Sequence, residues 1–142
     1  SGETMSDFKV EDYMIKPPPS VRTDTPIGQV IGLLESSHIS GIPVVDEFSE
    51  VVGFVSEKDC IHKLLHDSYH CDISTLAEDV MTSKPDVVTP GTTIYDVGEL
   101  MDKLNRKAYP VVQEEKLVGI ITRTAVLRAL NDYMKVCSLP HA

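Results

Sequence analysis

The sequence predicts an α/β protein, with an α+β arrangement, made of two similar units that pack together. The first observation is an internal repeat, because residues 10–14 (VEDYM) return as residues 77–81 (AEDVM) after a shift of 67 residues. The second is that the spacing of apolar residues within each unit alternates between the helical and the strand period. The third is a length of 142 residues with 42% apolar residues, which is enough for a real hydrophobic core.

Each unit follows the same predicted plan of a short strand, a helix, a two-stranded hairpin and a second helix. Thr25 followed by Pro26 is typical of a helix start, with Thr25 as the cap. The paired valines Val44-Val45 and Val51-Val52 are continuous rather than alternating, which predicts small sheets covered on both faces. The predicted elements are residues 17–21, 26–37, 42–46, 51–56 and 57–66 in the first unit, and 84–88, 93–104, 109–113, 117–122 and 123–133 in the second.

The repeat also predicts the domain boundaries. The first unit covers residues 10–66, a polar linker covers 67–76, the second unit covers 77–133, and residues 134–142 form a C-terminal tail. A unit of this size buries little surface by itself. The two units are therefore expected to pack against each other.

Charge and composition exclude several classes of partner. The net charge of −9 argues against nucleic acid or an anionic membrane surface, because both are bound through clustered lysine and arginine. The chain has no apolar run of the length that a membrane span needs and does not begin with a basic and then apolar segment. The cysteines Cys60, Cys71 and Cys137 form no CxxC pair, which predicts reduced thiols. These features predict a cytoplasmic protein.

The most informative stretch is residues 53–59 (GFVSEKD), where an apolar strand runs directly into a helix. The first N–H groups of a helix lack partners and favour negative charge, so a phosphorylated small molecule could bind here through Ser56 and Asp59. The same two residues also have the spacing of a capping box, which stabilises a helix start without any ligand. Both interpretations remain open at this point.

Four motifs in this order resemble the cystathionine-β-synthase (CBS) domain family, specifically the tandem pair called a Bateman module. The resemblance spans residues 10–133 and rests on the order, spacing and duplication of the motifs. They are residues 79–82 (DVMT), 25–27 (TPI), 41–46 (GIPVVD) and 53–59 (GFVSEKD).

The resemblance implies a non-enzymatic regulatory module that binds an adenosine-containing ligand, such as AMP, ADP, ATP or S-adenosylmethionine, between its two repeats. Asp59 would then bind the ribose hydroxyls and Ser56 a phosphate or the ribose. An ionised carboxylate suits a diol because it only accepts hydrogen bonds. No cofactor is required, although magnesium could accompany a nucleotide.

The opposite wall of this site is expected from the second repeat. Ile94 and Tyr109 are expected to sandwich the adenine, and Lys58, Arg106 and Lys107 to neutralise phosphates. These three cations could instead be a solvated face. The full set of expected ligand-binding residues is Ser56, Lys58, Asp59, Thr89, Gly91, Ile94, Arg106, Lys107, Ala108, Tyr109 and Pro110.

The second repeat departs from this pattern, because Ala125 stands where the first repeat has Asp59. One competent site per chain is therefore expected. The walls of the deficient site would include Ser20, Arg22, Asp24, Ser40, Gly41 and Pro43. The resemblance further implies a homodimer in which four repeats form a disk.

Other functions were weighed against this one. His62, His66 and His70 recur every four residues, with Cys71 adjacent, which could indicate a metal sensor but fits a solvated stripe better. No sequence motif of a nucleophilic elbow, a phosphate loop or a zinc protease is present, so no catalytic residue is predicted. A structural or oligomerisation module without a nucleotide is the main alternative.

Overall fold

The computed structural model describes residues 4–67 and 74–138. Two short 3-10 turns, Met5–Asp7 and Val10–Asp12, precede the first copy of the repeated unit. That copy contains β1 (Val21–Arg22), α1 (Ile27–Ser37), β2 (Gly41–Val45), β3 (Val51–Ser56) and α2 (Glu57–Asp67). The second contains α3 (Ala77–Val80), β4 (Thr82–Ser83), α4 (Ile94–Leu104), β5 (Ala108–Gln113), β6 (Lys116–Thr122) and α5 (Arg123–Cys137). The mixed α/β architecture is the predicted one.

The strands form two small sheets with matching plans. One sheet has the order β1-β2-β3-β4, with β1 parallel to β2 and the other pairs antiparallel. The other is the antiparallel hairpin β5-β6, extended by a parallel bridge between Val88 and Val111. That bridge is the counterpart of the pair Val21 and Val44 in the first sheet, 67 residues earlier. Each copy therefore repeats the other's register.

The two copies exchange the segments that lead into them, residues 8–15 and 75–82, which we call the leading segments. The leading segment of the second copy pairs with the first sheet, where Thr82 lies opposite Phe54. The leading segment of the first copy pairs with the second sheet, where the N–H of Ile15 donates to the carbonyl of Ile120 at 2.8 Å. Neither copy is complete without the other.

A methionine of each leading segment packs directly against a glycine of the other copy. A Cβ atom added to Gly53 would lie 2.3 Å from the Met81 sulfur, and one added to Gly119 would lie 2.5 Å from the Met14 sulfur. Ordinary contacts between such atoms are longer than 3.4 Å. The exchange thus explains why both glycines and both methionines recur in the repeat.

The hydrophobic interior consists of two clusters of buried residues. The first contains Ile42, Val44 and Val55 from the first copy, and the second contains Val97, Val111 and others from the second copy. Ala108 and Ile120 of the second hairpin belong to the first cluster, so the hairpins share an interface. The hairpin turns also touch, because the N–H of Leu117 donates to the carbonyl of Ser49 at 3.1 Å.

Some boundaries differ from the sequence predictions for local reasons. The hydroxyl of Thr25 accepts from the N–H of Arg22 at 2.9 Å, so it closes a turn and Pro26, not Thr25, occupies the cap position of α1. Helix α5 continues to Cys137, past the expected end at Tyr133, because Tyr133 and Val136 remain partly buried. No helix in the described residues is long and apolar enough to cross a membrane.

Candidate ligand-binding cleft

The start of α2 carries the capping box that the sequence predicts. The N–H of Ser56 donates to Asp59 Oδ2 at 3.0 Å, and the N–H of Asp59 donates to Ser56 Oγ at 3.1 Å. Both side chains remain partly exposed. One oxygen of the carboxylate is therefore used by the helix, while Oδ1 has no donor among the residues that the structure describes.

This helix start opens onto a cleft of about 680 Å³ between the two copies. One wall is formed by the end of β3 and the first two turns of α2, and the other by the edge of β5 and the chain after α3. The lining residues are Ser40, Phe54, Ser56, Glu57, Lys58, Asp59, His62, Lys63, Asp79, Val80, Thr82, Pro85, Asp86, Asn105, Arg106, Lys107, Ala108, Tyr109 and Pro110. Eight of the eleven expected ligand-binding residues are in this set.

Cations gather at the cleft although the chain as a whole is acidic. Lys58, Arg106 and Lys107 are exposed there, and none of the three forms an ion pair with another described residue. The carboxylates of Glu57, Asp59, Asp79 and Asp86 also line the cleft. The site can therefore accept hydrogen bonds at one end and neutralise an anion at another.

Three expected residues lie away from this cleft. Thr89 and Gly91 occupy an exposed turn before α4, where the N–H of Thr89 donates to Thr92 Oγ1 at 3.1 Å. Ile94 is fully buried in the hydrophobic cluster of the second copy. The structure therefore does not bring them to Asp59.

Tyr109 lines the cleft, but its side chain packs into the second hydrophobic cluster. Its hydroxyl donates to the carbonyl of Leu100 at 3.3 Å, and burial raises the pKa of this phenol. Because Tyr109 and Ile94 both point into the core of the second copy, they do not form the expected sandwich around a base. The buried Ala108 and Pro110 stay at the cleft as expected.

The sequence reasoning missed the residues that follow α3. Val80, Thr82, Pro85 and Asp86 reach the cleft because the leading segment of the second copy crosses to the edge of β3. With Phe54 they supply the apolar surface that the expected sandwich would have provided. The signal was available in the repeated DVMT motif, which lies outside the helices and hairpins and so needed a role of its own.

The remaining sequence candidates have structural partners. The rings of His62 and His66 lie 4.4 Å apart, and among the described residues no third side chain joins them to make a metal-binding group. His70 and Cys71 lie outside the described residues. Cys60 is buried in the first hydrophobic cluster, where burial, with Asp59 and Glu57 nearby, raises the pKa of its thiol.

The start of α5 is the counterpart of the start of α2. The N–H of Ala125 donates to Thr122 Oγ1 at 3.1 Å, so this helix begins with half of a capping box and without a carboxylate. The helix forms all the same. An acid at this position is thus not needed for the fold, which separates the structural role of Asp59 from any ligand role.

Comparisons with known proteins agree with this geometry. The family model described as CBS domain matches twice, at residues 10–66 and 77–132. CBSX2 of Arabidopsis thaliana, solved in complex with AMP, has 29% identity and a TM-score of 0.77 over 89% of this chain and 98% of that one. The CBS domain pair of MJ0100, solved with 5′-methylthioadenosine and S-adenosyl-L-methionine, has 25% identity and a TM-score of 0.78 over 87% and 96%.

A curated relative extends the comparison to a longer protein. The uncharacterized protein MJ0188 of Methanocaldococcus jannaschii is 36% identical over 124 residues, which are 85% of this chain. The chain spans only 43% of that relative's length.

Proposed function

Because the chain belongs to the CBS domain family, with one CBS domain in each copy, we propose that it is a regulatory module that binds an adenosine-containing ligand in the cleft between the copies. The observation that carries the proposal is the meeting of two walls at one cleft. Asp59 and Ser56 of the first copy face Arg106, Lys107 and the buried edge of β5 in the second.

Asp59 is the proposed ribose ligand. Its Oδ2 already accepts from Ser56, which holds the carboxylate in place, and its Oδ1 has no donor among the described residues. A ribose diol offers two O–H donors at the spacing that one carboxylate can accept. Bonds to a charged acceptor of this kind contribute about 1.5–3 kcal/mol each.

The cations of the cleft support a phosphorylated ligand. Lys58, Arg106 and Lys107 have no carboxylate partner in the described part of the chain and so are free to neutralise phosphate. AMP, ADP and ATP are therefore candidates, with magnesium where a polyphosphate is bound. S-adenosylmethionine stays in the proposal because MJ0100 was solved with it. A ligand of this kind would act as a signal and not as a substrate.

Regulation would follow from the position of the cleft. A ligand that contacts both walls stabilises those relative orientations of the two copies in which both walls are in reach, and so shifts their population. A partner that reads this orientation would respond to the ligand. The extent of the shift is limited by the difference in ligand affinity between the orientations.

Assembly is the second part of the proposal. Each copy exposes apolar residues on its helices, including Ile61 and Leu65 on α2 and Leu127 on α5, with exposed fractions of 59%, 73% and 67%. Such side chains favour a partner surface. We propose a homodimer, located in the cytoplasm. If no nucleotide binds, an assembly module would be the better account of the chain.

The test is titration calorimetry with AMP, ADP, ATP and S-adenosylmethionine, with and without magnesium. Asp59→Ala is expected to weaken the preferred ligand by at least about tenfold, because one lost charge-assisted hydrogen bond exceeds the 1.4 kcal/mol of a tenfold change. Thr122→Ala is the matched control, since it removes the equivalent helix cap of α5 without touching the cleft. Equal affinity of the parent and Asp59→Ala would reduce Asp59 to a helix cap.

A further inference from the structure

The two copies define a second cleft that is related to the first by the repeat. Its walls are the start of α5 and the leading segment of the first copy, in place of the start of α2 and the chain after α3. At corresponding positions, Ala125 stands for Asp59, Arg128 for His62, and Tyr13 for Val80. The replacement of Val80 by Tyr13 puts a large side chain where the first cleft has a small one.

Tyr13 connects the two walls of this second cleft. Its hydroxyl donates to Asp132 Oδ2 of α5 at 2.8 Å, and the guanidinium of Arg128 lies 5.9 Å from its ring centre. Its ring also stacks on Phe8 with centres 6.4 Å apart, and Phe8 meets Tyr133 edge-on at 5.7 Å. Burial and Asp132 raise the pKa of the Tyr13 phenol to about 12, so it remains a hydrogen-bond donor at neutral pH.

The first cleft lacks this connection. The residues of α2 that correspond to Arg128 and Asp132 are His62 and His66, whose rings stack on each other. Val80 lines the open cleft and has no polar group with which to reach them. Helix α2 and the chain after α3 therefore leave a space between them, whereas α5 and the leading segment of the first copy are joined by a side chain of the protein.

We infer that Tyr13, held by Asp132 and Arg128, closes the second cleft and limits the chain to one ligand. The inference rests on the proposed function for the meaning of the first cleft. It adds a steric reason to the missing acid at position 125, and predicts that restoring the acid alone does not restore binding. A carboxylate at position 125 would face a cleft already bridged by the Tyr13 ring.

The test compares AMP stoichiometry, measured by titration calorimetry, in three proteins whose folding is verified by circular dichroism. The parent is expected to bind one AMP per chain, Tyr13→Val/Ala125→Asp two, and Tyr13→Phe/Ala125→Asp one, because phenylalanine keeps the ring. Adding Asp59→Ala to the valine variant should return it to one, which places the additional AMP in the second cleft.

The possible results separate the inference from the proposed function. Two AMP bound by the parent, or one bound by a folded valine variant, would overturn the role of Tyr13 while leaving the first cleft intact. No binding by the parent would contradict the proposed function, and one AMP bound by the valine variant would still support closure by Tyr13. No binding by either protein overturns both.

A second measurement covers the case in which Ala125→Asp does not fold, since Ala125 is buried. Amide hydrogen exchange of residues 122–128 is compared in the parent and in Tyr13→Val at millimolar AMP. Protection by AMP in Tyr13→Val alone supports the inference, because only the opened cleft admits the ligand. The same exchange in both proteins, with and without AMP, contradicts it.

Discussion

Gly53→Ala tests the exchange of leading segments at its tightest contact. The new Cβ would lie 2.3 Å from the sulfur of Met81 and 2.9 Å from its Cγ, whereas favourable separations are about 3.5–4.0 Å. The Met81 side chain must move by more than an ångström, and its own Cβ, at 3.1 Å, limits how far it can turn. Overpacking of this kind costs about 1–3 kcal/mol. For a chain of this length, that lowers the melting temperature by roughly 3–9 °C.

The assay is thermal and urea unfolding of Gly53→Ala beside Gly28→Ala, the matched control. Gly28 lies in α1 with no atom within 4 Å of its added Cβ, so alanine there is expected to stabilise the chain by about 0.5–1 kcal/mol. In a Met81→Ala background the cost of Gly53→Ala should shrink, because the sulfur it collides with is gone. Strictly additive effects of the two substitutions would refute the contact between the leading segment and β3.

Three further outcomes are expected. Removing the phenol with Tyr13→Phe should flatten the alkaline loss of stability. The pKa of Tyr13 is raised from 10.0 to about 12 by burial and by Asp132, so the stability it contributes is present below pH 10 and lost as the pH rises through 12. In a Cys71→Ser background, a thiol reagent should modify the exposed Cys137 rapidly and the buried Cys60 only on unfolding, and equal rates would contradict the burial of Cys60. Gly119→Ala should be destabilising in the same range as Gly53→Ala, because it meets Met14, and a neutral result would show that the two contacts differ.

The helices and hairpins were predictable because their signals are local. The two hairpins lie within a residue or two of the expected bounds, since continuous valines and polar turns specify them within a short window. The cap position of α1 was predicted one residue early, because Thr25 and Pro26 compete for it and the Thr25 hydroxyl is taken by Arg22. Such choices depend on contacts that a sequence pattern does not contain.

The candidate site was predictable on one side only. Ser56 and Asp59 are neighbours on one helix start, so their placement follows from the local motif. The opposite wall depends on which sheet the leading segments join, a pairing across more than 25 residues that no short pattern encodes. The sequence reasoning therefore assigned Ile94 to the adenine, whereas the crossing chain brings Val80 and Pro85 to the cleft instead.

The exchange of leading segments has a consequence for synthesis on the ribosome. The sheet of the first copy gains its last strand only when Thr82 and Ser83 emerge, and Ile15 finds its partner only when Ile120 does. Helices α1 and α2 can form early, but the first hydrophobic cluster also waits for Ala108 and Ile120. A nascent chain of this kind cannot fold one copy at a time, as independent domains do. The duplicated halves are thus committed to a single folding event late in translation.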